Sequence, residues 1–397
     1  MAPLPVIAVL TPVWGAAGES GWFARQVAGA LANAADVHVV TPGDGPATVD
    51  TDGVFTIHRL GSGSGDKAAR RRDLLLDALA DTGHDPSAPL PADVVERLEM
   101  DQAEPWADAE IALTSIAPDR VVIADHRNIG ALQAVDRYAS SLPVTLIALA
   151  GEPADQAWRP FAPVVHRADG ILTVTEDERQ FLADRYGRHD AIHSVGTPLA
   201  VNPSVLTEPN PWMGDTGYLL VITDVSMEDD DEQAELAQLL RMRFSDRPLG
   251  VVYRDGFVSW VDGRQQVSWA VERSSDLARL MAWARVTVDL RTHELFGRDC
   301  LISLLYGTPI VVARDSPASQ HARGGGGLSY TSVNELTWCI ESLLDPAVAA
   351  TFGAQGTAYA EDGFGSTDRF IGRVVAACGL GNGAFAEPAP SQFPITA

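Results

Sequence analysis

Short apolar, β-branched runs alternate with longer amphipathic stretches along most of this chain. Residues 5–11 (PVIAVLT) read as a buried strand, because a run that is apolar at every position has both faces covered. A loop with glycines at 15, 18 and 21 follows, then a helix from Trp22 to Ala32 and a strand at Val37–Val40. Strand, Gly-rich loop and helix are the opening of a doubly wound sheet. The same alternation predicts strands at Asp119–Ala124, Val144–Leu149, Gly170–Thr175 and His193–Val195, with a helix over Glu176–Tyr186.

A second α/β set begins after Pro203–Gly217, whose three prolines mark a linker. Strands are expected at Tyr218–Thr223, Gly250–Tyr253, Val267–Val271, Val286–Leu290, Ile310–Ala313 and Leu328–Tyr330. Helices are expected through Leu240, over Asp276–Ala284, from Phe296-Gly297 to Tyr306, over Val333–Leu344, and over Ala347–Ala377 with a break near Gly363–Gly365. This gives a first domain at 1–205, with an irregular flap at 61–118 for an acceptor or a partner, and a second at 213–365. Residues 366–378 form a last helix, and the Gly/Pro/Ala-rich 379–397 a mobile tail.

Composition narrows the function classes. A chain of 397 residues is too long for one ordinary core. No apolar run reaches the length of a membrane span, and the apolar N-terminus lacks a basic leader and reads as a strand. Three scattered cysteines (Cys300, Cys339, Cys378) suit a reducing cytoplasm and no metal site. With 53 acidic residues against 29 basic, the net charge of −24 argues against nucleic acid or an anionic membrane as partner. Lys67 is the sole lysine, so any cation chemistry in the second domain must come from arginine.

The stretch His293–Val312, HELFGRDCLISLLYGTPIVV, carries the most chemistry. It offers a carboxylate (Glu294), a tight Phe296-Gly297 turn, and a helix whose first N–H groups point at the loop. Such a loop suits anions and polyols. The stretch resembles the donor-binding signature of family 4 glycosyltransferases: Glu, Phe-Gly, a second Glu eight places after the first, then Gly-Thr-Pro-Val. Glu294, Phe296, Gly297, Gly307, Thr308 and Pro309 fall in register, while Ile302 stands at the second Glu.

The resemblance implies the α/β architecture called GT-B: two Rossmann-like domains facing an interdomain cleft, with a C-terminal helix crossing back to the first. It implies a retaining, metal-independent enzyme of carbohydrate metabolism. A hexose would pass from a nucleotide sugar to a glycan or envelope-precursor acceptor, with the donor as substrate and no cofactor. Glu294 and the amides of Phe296, Gly297 and Arg298 would hold the donor sugar, with Thr308 beside them. The second Glu of the family holds the ribose, and that contact is missing here. Gly18 and Gly21 stand where the family has a Gly-rich loop. His126, after Asp125, is the positional replacement for the family's N-domain histidine. Trp14 and Trp22 flank the Gly-rich loop and offer rings to an acceptor sugar.

The family also places an Arg, and a Lys five residues later, on the donor diphosphate. Here those positions are Asp224 and Asp229, followed by Asp230, Asp231 and Glu232. That acidic run suits a solvated helix N-terminus, a cation or a partner. Arg291, Arg298, Arg254 and Arg314 are the available replacements, since guanidinium binds diphosphate in a fork. Arg291 and Arg298 have alternative partners in Glu294 and Asp299. His321 falls where the family often has an acidic residue. Ile302, Asp224 and Asp229 support a different class of function: a catalytically degenerate relative serving as partner subunit of another glycosyltransferase, or as a carbohydrate-binding protein.

Overall fold

The computed structural model describes residues 3–12, 14, 19–43, 45–61, 104–125, 128–148, 162–199, 217–225, 232–253, 257–262, 265–270, 274–291 and 296–380. Most of the expected linker and flap, and the tail beyond Leu380, lie outside these residues. The chain divides into two compact units between Thr197 and Pro198, and residues 368–380 return to the first.

In the first unit the strands are β1 (Val6–Leu10), β2 (Asp36–Pro42), β3 (Thr48–Asp52), β4 (Phe55–Leu60), β5 (Arg120–Ala124), β6 (Val144–Ile147), β7 (Gly170–Thr173) and β8 (Ile192–Ser194). Among the described residues they form one sheet in the order β3-β4-β2-β1-β5-β6-β7-β8. All neighbours are parallel except β3 and β4, a hairpin closed by Gly53 at φ +64°. β1, β5, β6 and β7 are buried at nearly every position, as strands covered on both faces must be. β1 pairs with β2 on one side and β5 on the other, so the strand order reverses at β1 and β5.

Helices α1 (Glu19–Leu31), α2 (Ala109–Ile116), α3 (Ile129–Ala139), α4 (Ala162–Arg167) and α5 (Glu176–Tyr186) cover this sheet. Residues 104–116, expected in the flap, belong instead to the core: Trp106, Ala109 and Leu113 are buried with Leu10 and Ile123. The start of α5 is a capping box, in which Thr175 Oγ1 accepts from Glu178 N and Glu178 Oε2 accepts from Thr175 N.

The second unit holds β9 (Tyr218–Ile222), β10 (Leu249–Val252), β11 (Phe257–Asp262), β12 (Gln265–Ala270), β13 (Ala284–Asp289), β14 (Ile310–Ala313) and β15 (Gly327–Tyr330). Their order is β12-β11-β10-β9-β13-β14-β15, with β11 and β12 antiparallel and the rest parallel. Here the order reverses at β9 and β13. Its helices are α6 (Glu232–Arg243), α7 (Ser274–Trp283), α8 (Arg298–Leu305), α9 (Val333–Leu343) and α10 (Pro346–Phe364).

The expected break near Gly363–Gly365 is real. The chain leaves α10 at Gly365 and restarts as α11 (Thr367–Ala377), which packs on the first unit through Phe370 and Phe23, 6.2 Å apart between ring centres. Among the described residues no helix is long and apolar enough to cross a membrane.

Candidate functional site

In open α/β sheets, ligands bind beyond the carboxyl ends of the strands where the strand order reverses. In the second unit that place is the end of β9 and β13. Asp289 pairs with Ile222 across the two strands, and Leu290 N donates to Ile222 O at 2.9 Å. Asp224 therefore leaves β9 beside the point where Arg291 leaves β13. The half-buried Asp224 donates its backbone N–H to Gln233 Oε1 at 2.9 Å. This fixes the first turn of α6 against the strand end. Asp229 to Asp231 lie outside the described residues.

β13 runs into the Phe296-Gly297 turn, and the turn starts α8. Phe296 is fully buried. Gly297 is the N-cap at φ +69°, ψ +43°, a left-handed shape that L side chains resist. A Cβ there would lie 2.8 Å from Ala318 Cβ, so the position also lacks space. Glycine brings no side chain to cap the helix, so α8 opens with backbone N–H groups and Arg298. At its other end, Thr357 Oγ1 of α10 donates to Leu304 O at 2.8 Å. Close approach makes this possible, because a Cβ on Gly353 would stand 2.2 Å from Gly307 O.

Behind the turn stands His321, fully buried. Its Nε2 lies 2.7 Å from Phe296 O and its Nδ1 3.0 Å from Tyr359 Oη. A carbonyl can only accept, so Nε2 carries the proton and Nδ1 accepts from the tyrosine. Burial pushes the imidazole pKa down to about 4; the bond to Phe296 opposes this, and Arg323 adds to it. His321 is thus a neutral clamp on the turn, a role its sequence position did not reveal.

Arg291 is engaged within the protein. Its Nε and Nη2 donate to the two oxygens of Asp289 at 2.8 Å each, and Nη1 donates to Asp299 Oδ2 at 3.0 Å. Arg291 N and Cys300 Sγ donate to Asp289 as well. Burial alone would raise the Asp289 carboxyl, but the Arg291 charge and these bonds outweigh it and hold the group below the usual carboxylate range. The pairing with Asp299, expected as one alternative, is present. A fork already filled by two carboxylates has little left for a diphosphate.

The other expected site residues separate. Thr308 does not join the turn: it precedes β14, at the amino end of the parallel strands, and its hydroxyl donates to Met281 O at 2.8 Å, with Ala284 O at 3.2 Å. Arg314, at the carboxyl end of β14, lines a cavity of about 320 Å³ with Ala313, Asp315, Tyr330 and Thr331. Ile302, which the resemblance sets against the family's second Glu, packs on the core formed by Tyr218, Leu220 and Trp260. Glu294 and Arg254 lie outside the described residues. In the first unit the same holds for Gly18 and His126. Gly21 is buried in the first turn of α1. Trp14 is no open platform: it is buried edge-on against Phe55, donates to Asp52 Oδ2 at 3.1 Å, and lies under the Arg25 guanidinium.

No family model matches the sequence, and no curated protein matches it. Solved structures do. An α,α-trehalose-phosphate synthase (UDP-forming) from Burkholderia vietnamiensis is 11% identical, with a TM-score of 0.64 over 94% of this chain and 99% of its own. Sucrose-phosphate synthase from Thermosynechococcus elongatus is 14% identical, with a TM-score of 0.61 over 93% and 97%. An E. coli protein described as trehalose-6-phosphate, bound with UDP-2-fluoro glucose, gives 0.65 at 10% identity over 94% and 98%. The likeness to these glycosyltransferase structures does not support the narrower family 4 assignment. At such identities the likeness establishes the architecture: this chain has the GT-B fold, as two α/β units.

Proposed function

We propose that this protein is a glycosyltransferase that moves a hexose from a nucleotide sugar to a glycan or small-sugar acceptor. The observation that carries the reading is Gly297: a left-handed N-cap, clamped by His321, that opens α8 at the strand-order reversal of the second unit. As the glycosidic bond breaks, the departing diphosphate gains negative charge, and a helix N-terminus with an adjacent guanidinium stabilises it. Arg298, in the first turn of α8, is the cation of this reading, and Arg291 is held by Asp289 and Asp299. Glu294 takes the sugar hydroxyls by the resemblance of its turn to family 4. The donor class follows from the same resemblance, as does retention. The similar solved structures, named for sugar-phosphate synthesis, favour a small sugar phosphate over an envelope precursor as acceptor. By the same resemblance the first unit is the acceptor side, with His126 and the Gly18–Gly21 loop as its expected contacts.

A second reading, a non-catalytic relative that serves as partner subunit or carbohydrate-binding protein, has its own observations. The ribose position holds a packed isoleucine, and the nearest arginine is neutralised by two carboxylates. Calorimetric titration with UDP, GDP, ADP and dTDP, each free and as its sugar conjugate, separates the two. Micromolar binding to one base, weakened about tenfold by Arg298→Ala, supports the transferase. No binding at millimolar nucleotide sinks it and leaves the second reading.

A further inference from the structure

The strand-order reversal of the first unit, at β1 and β5, carries a polar group that no part of the donor reading uses. Asn128 is the N-cap of α3, an 11-residue helix that follows β5. Its Oδ1 accepts from Ala131 N at 3.3 Å, and this fixes which end of the amide is oxygen. Nδ2, with two N–H donors, is buried and has no hydrogen-bond partner among the described residues, on a residue that is 6% exposed. Buried donors without an acceptor are rare in native folds, and each calls for an explanation.

The backbone leading to it is also unusual. Asp125, equally buried, adopts φ +74°, and its carbonyl accepts from Asn128 N at 3.1 Å. Non-glycine residues are seldom left-handed, and they gather at functional sites. This turn is what sets the Asn128 amide at the head of α3, where the helix dipole favours negative charge.

We infer that Asn128 Nδ2 holds an oxygen of the acceptor, either a phosphate oxygen or a sugar hydroxyl. The inference rests on the transferase reading above and adds a residue that positions the acceptor. Through Nδ2 Asn128 would contact the bound molecule, and it moves no proton.

The test uses the full chain, labelled with ¹⁵N. Asn128→Asp keeps the capping oxygen and removes both donors, so the variant folds as the wild type does and identifies the Asn128 side-chain amide signal by its loss. Glucose 6-phosphate, inorganic phosphate and glucose are then titrated separately into the wild type. The expected result is a saturable shift of that signal with glucose 6-phosphate, and binding about tenfold weaker in Asn128→Asp. A shift with phosphate alone assigns the contact to phosphate, and a shift with glucose alone assigns it to a hydroxyl. No shift with any of the three overturns the inference and leaves Nδ2 to a buried water. Should Asn128→Asp fail to fold, Asn128→Ser identifies the signal, and the wild-type titration still decides. A chain that binds a nucleotide sugar while the signal stays fixed with all three acceptor probes removes this inference alone. A signal that responds in a chain that binds no nucleotide removes the transferase reading alone.

Discussion

His321 Nε2 donates to the backbone carbonyl of Phe296 across 2.7 Å, tying the 319–326 segment to the turn that starts α8. The phenyl ring of Phe364 stands edge-on to the imidazole, 5.7 Å between centres. The Tyr359 hydroxyl can donate to Nδ1 only while the ring is neutral with its proton on Nε2, and burial keeps the ring neutral. A turn that presents its amides outward is thus held from behind by one buried side chain.

That arrangement makes the second unit acid-sensitive. The folded pKa of about 4 lies below the ordinary histidine value, so between the two the unfolded chain binds the extra proton. Stability falls as pH drops through 6.5 toward 4, by ~3 kcal/mol in total from this group. Urea unfolding at pH 7 and at pH 4.5 measures it against His321→Phe. The variant begins less stable at pH 7 but loses less on acidification. Equal losses in the two proteins would show that His321 is not the group titrating.

Gly297→Ala tests the turn itself. The left-handed backbone and the 2.8 Å approach to Ala318 Cβ act together. The expected destabilisation is at least about 2 kcal/mol, read as a lower urea midpoint. On the transferase reading nucleotide affinity falls as well, because the first-turn amides move. A variant that is as stable as the wild type would mean that the turn relaxes freely and is no fixed anion site.

Much of this architecture was legible in the residues. Val-, Ile- and Leu-rich runs fixed where the parallel strands lie, and Thr175 with Glu178 announced the start of α5. The antiparallel additions were harder. β3 is exposed at most positions, so no apolar run marks it, and the Asp52-Gly53 pair was the available hairpin signal. β11 is buried at Val258, Ser259 and Trp260, but the serine interrupts its apolar run, so no continuous signal marks it. At the site, the Phe-Gly turn was readable because its geometry demands glycine. The status of Arg291 was not, since pairing with Asp289 depends on the end of β13 folding back on itself. Nor could the sequence show that Thr308 lies at the amino end of the strands, or that the Asn128 amide is buried without an acceptor among the described residues.

Arg291→Ala removes the only arginine that touches Asp289 among the described residues, and it leaves a buried carboxylate uncompensated. The expected loss is about 3–5 kcal/mol, well beyond that of an exposed ion pair. Asp289→Asn with Arg291→Ala recovers part of it, because no buried charge remains. A loss under about 1 kcal/mol would mean that water reaches Asp289, and Arg291 would again be available to a diphosphate.

Charge reversal at the end of β9 gives the sharpest test of the donor side. Asp224 leaves β9 next to the strand end that leads to Arg291, and Asp229 follows five residues later. If the diphosphate lies over this edge, both carboxylates repel it, and in a partly dry site the penalty reaches several kcal/mol for charges about 4–6 Å away. Asp224→Arg with Asp229→Lys should then raise affinity for UDP by about tenfold or more, and the gain should shrink as salt is added. Calorimetry at low and at high salt checks both parts. Unchanged or weaker binding would show that the Asp224 side chain turns away from the donor, and the cation contact would have to come from the head of α8.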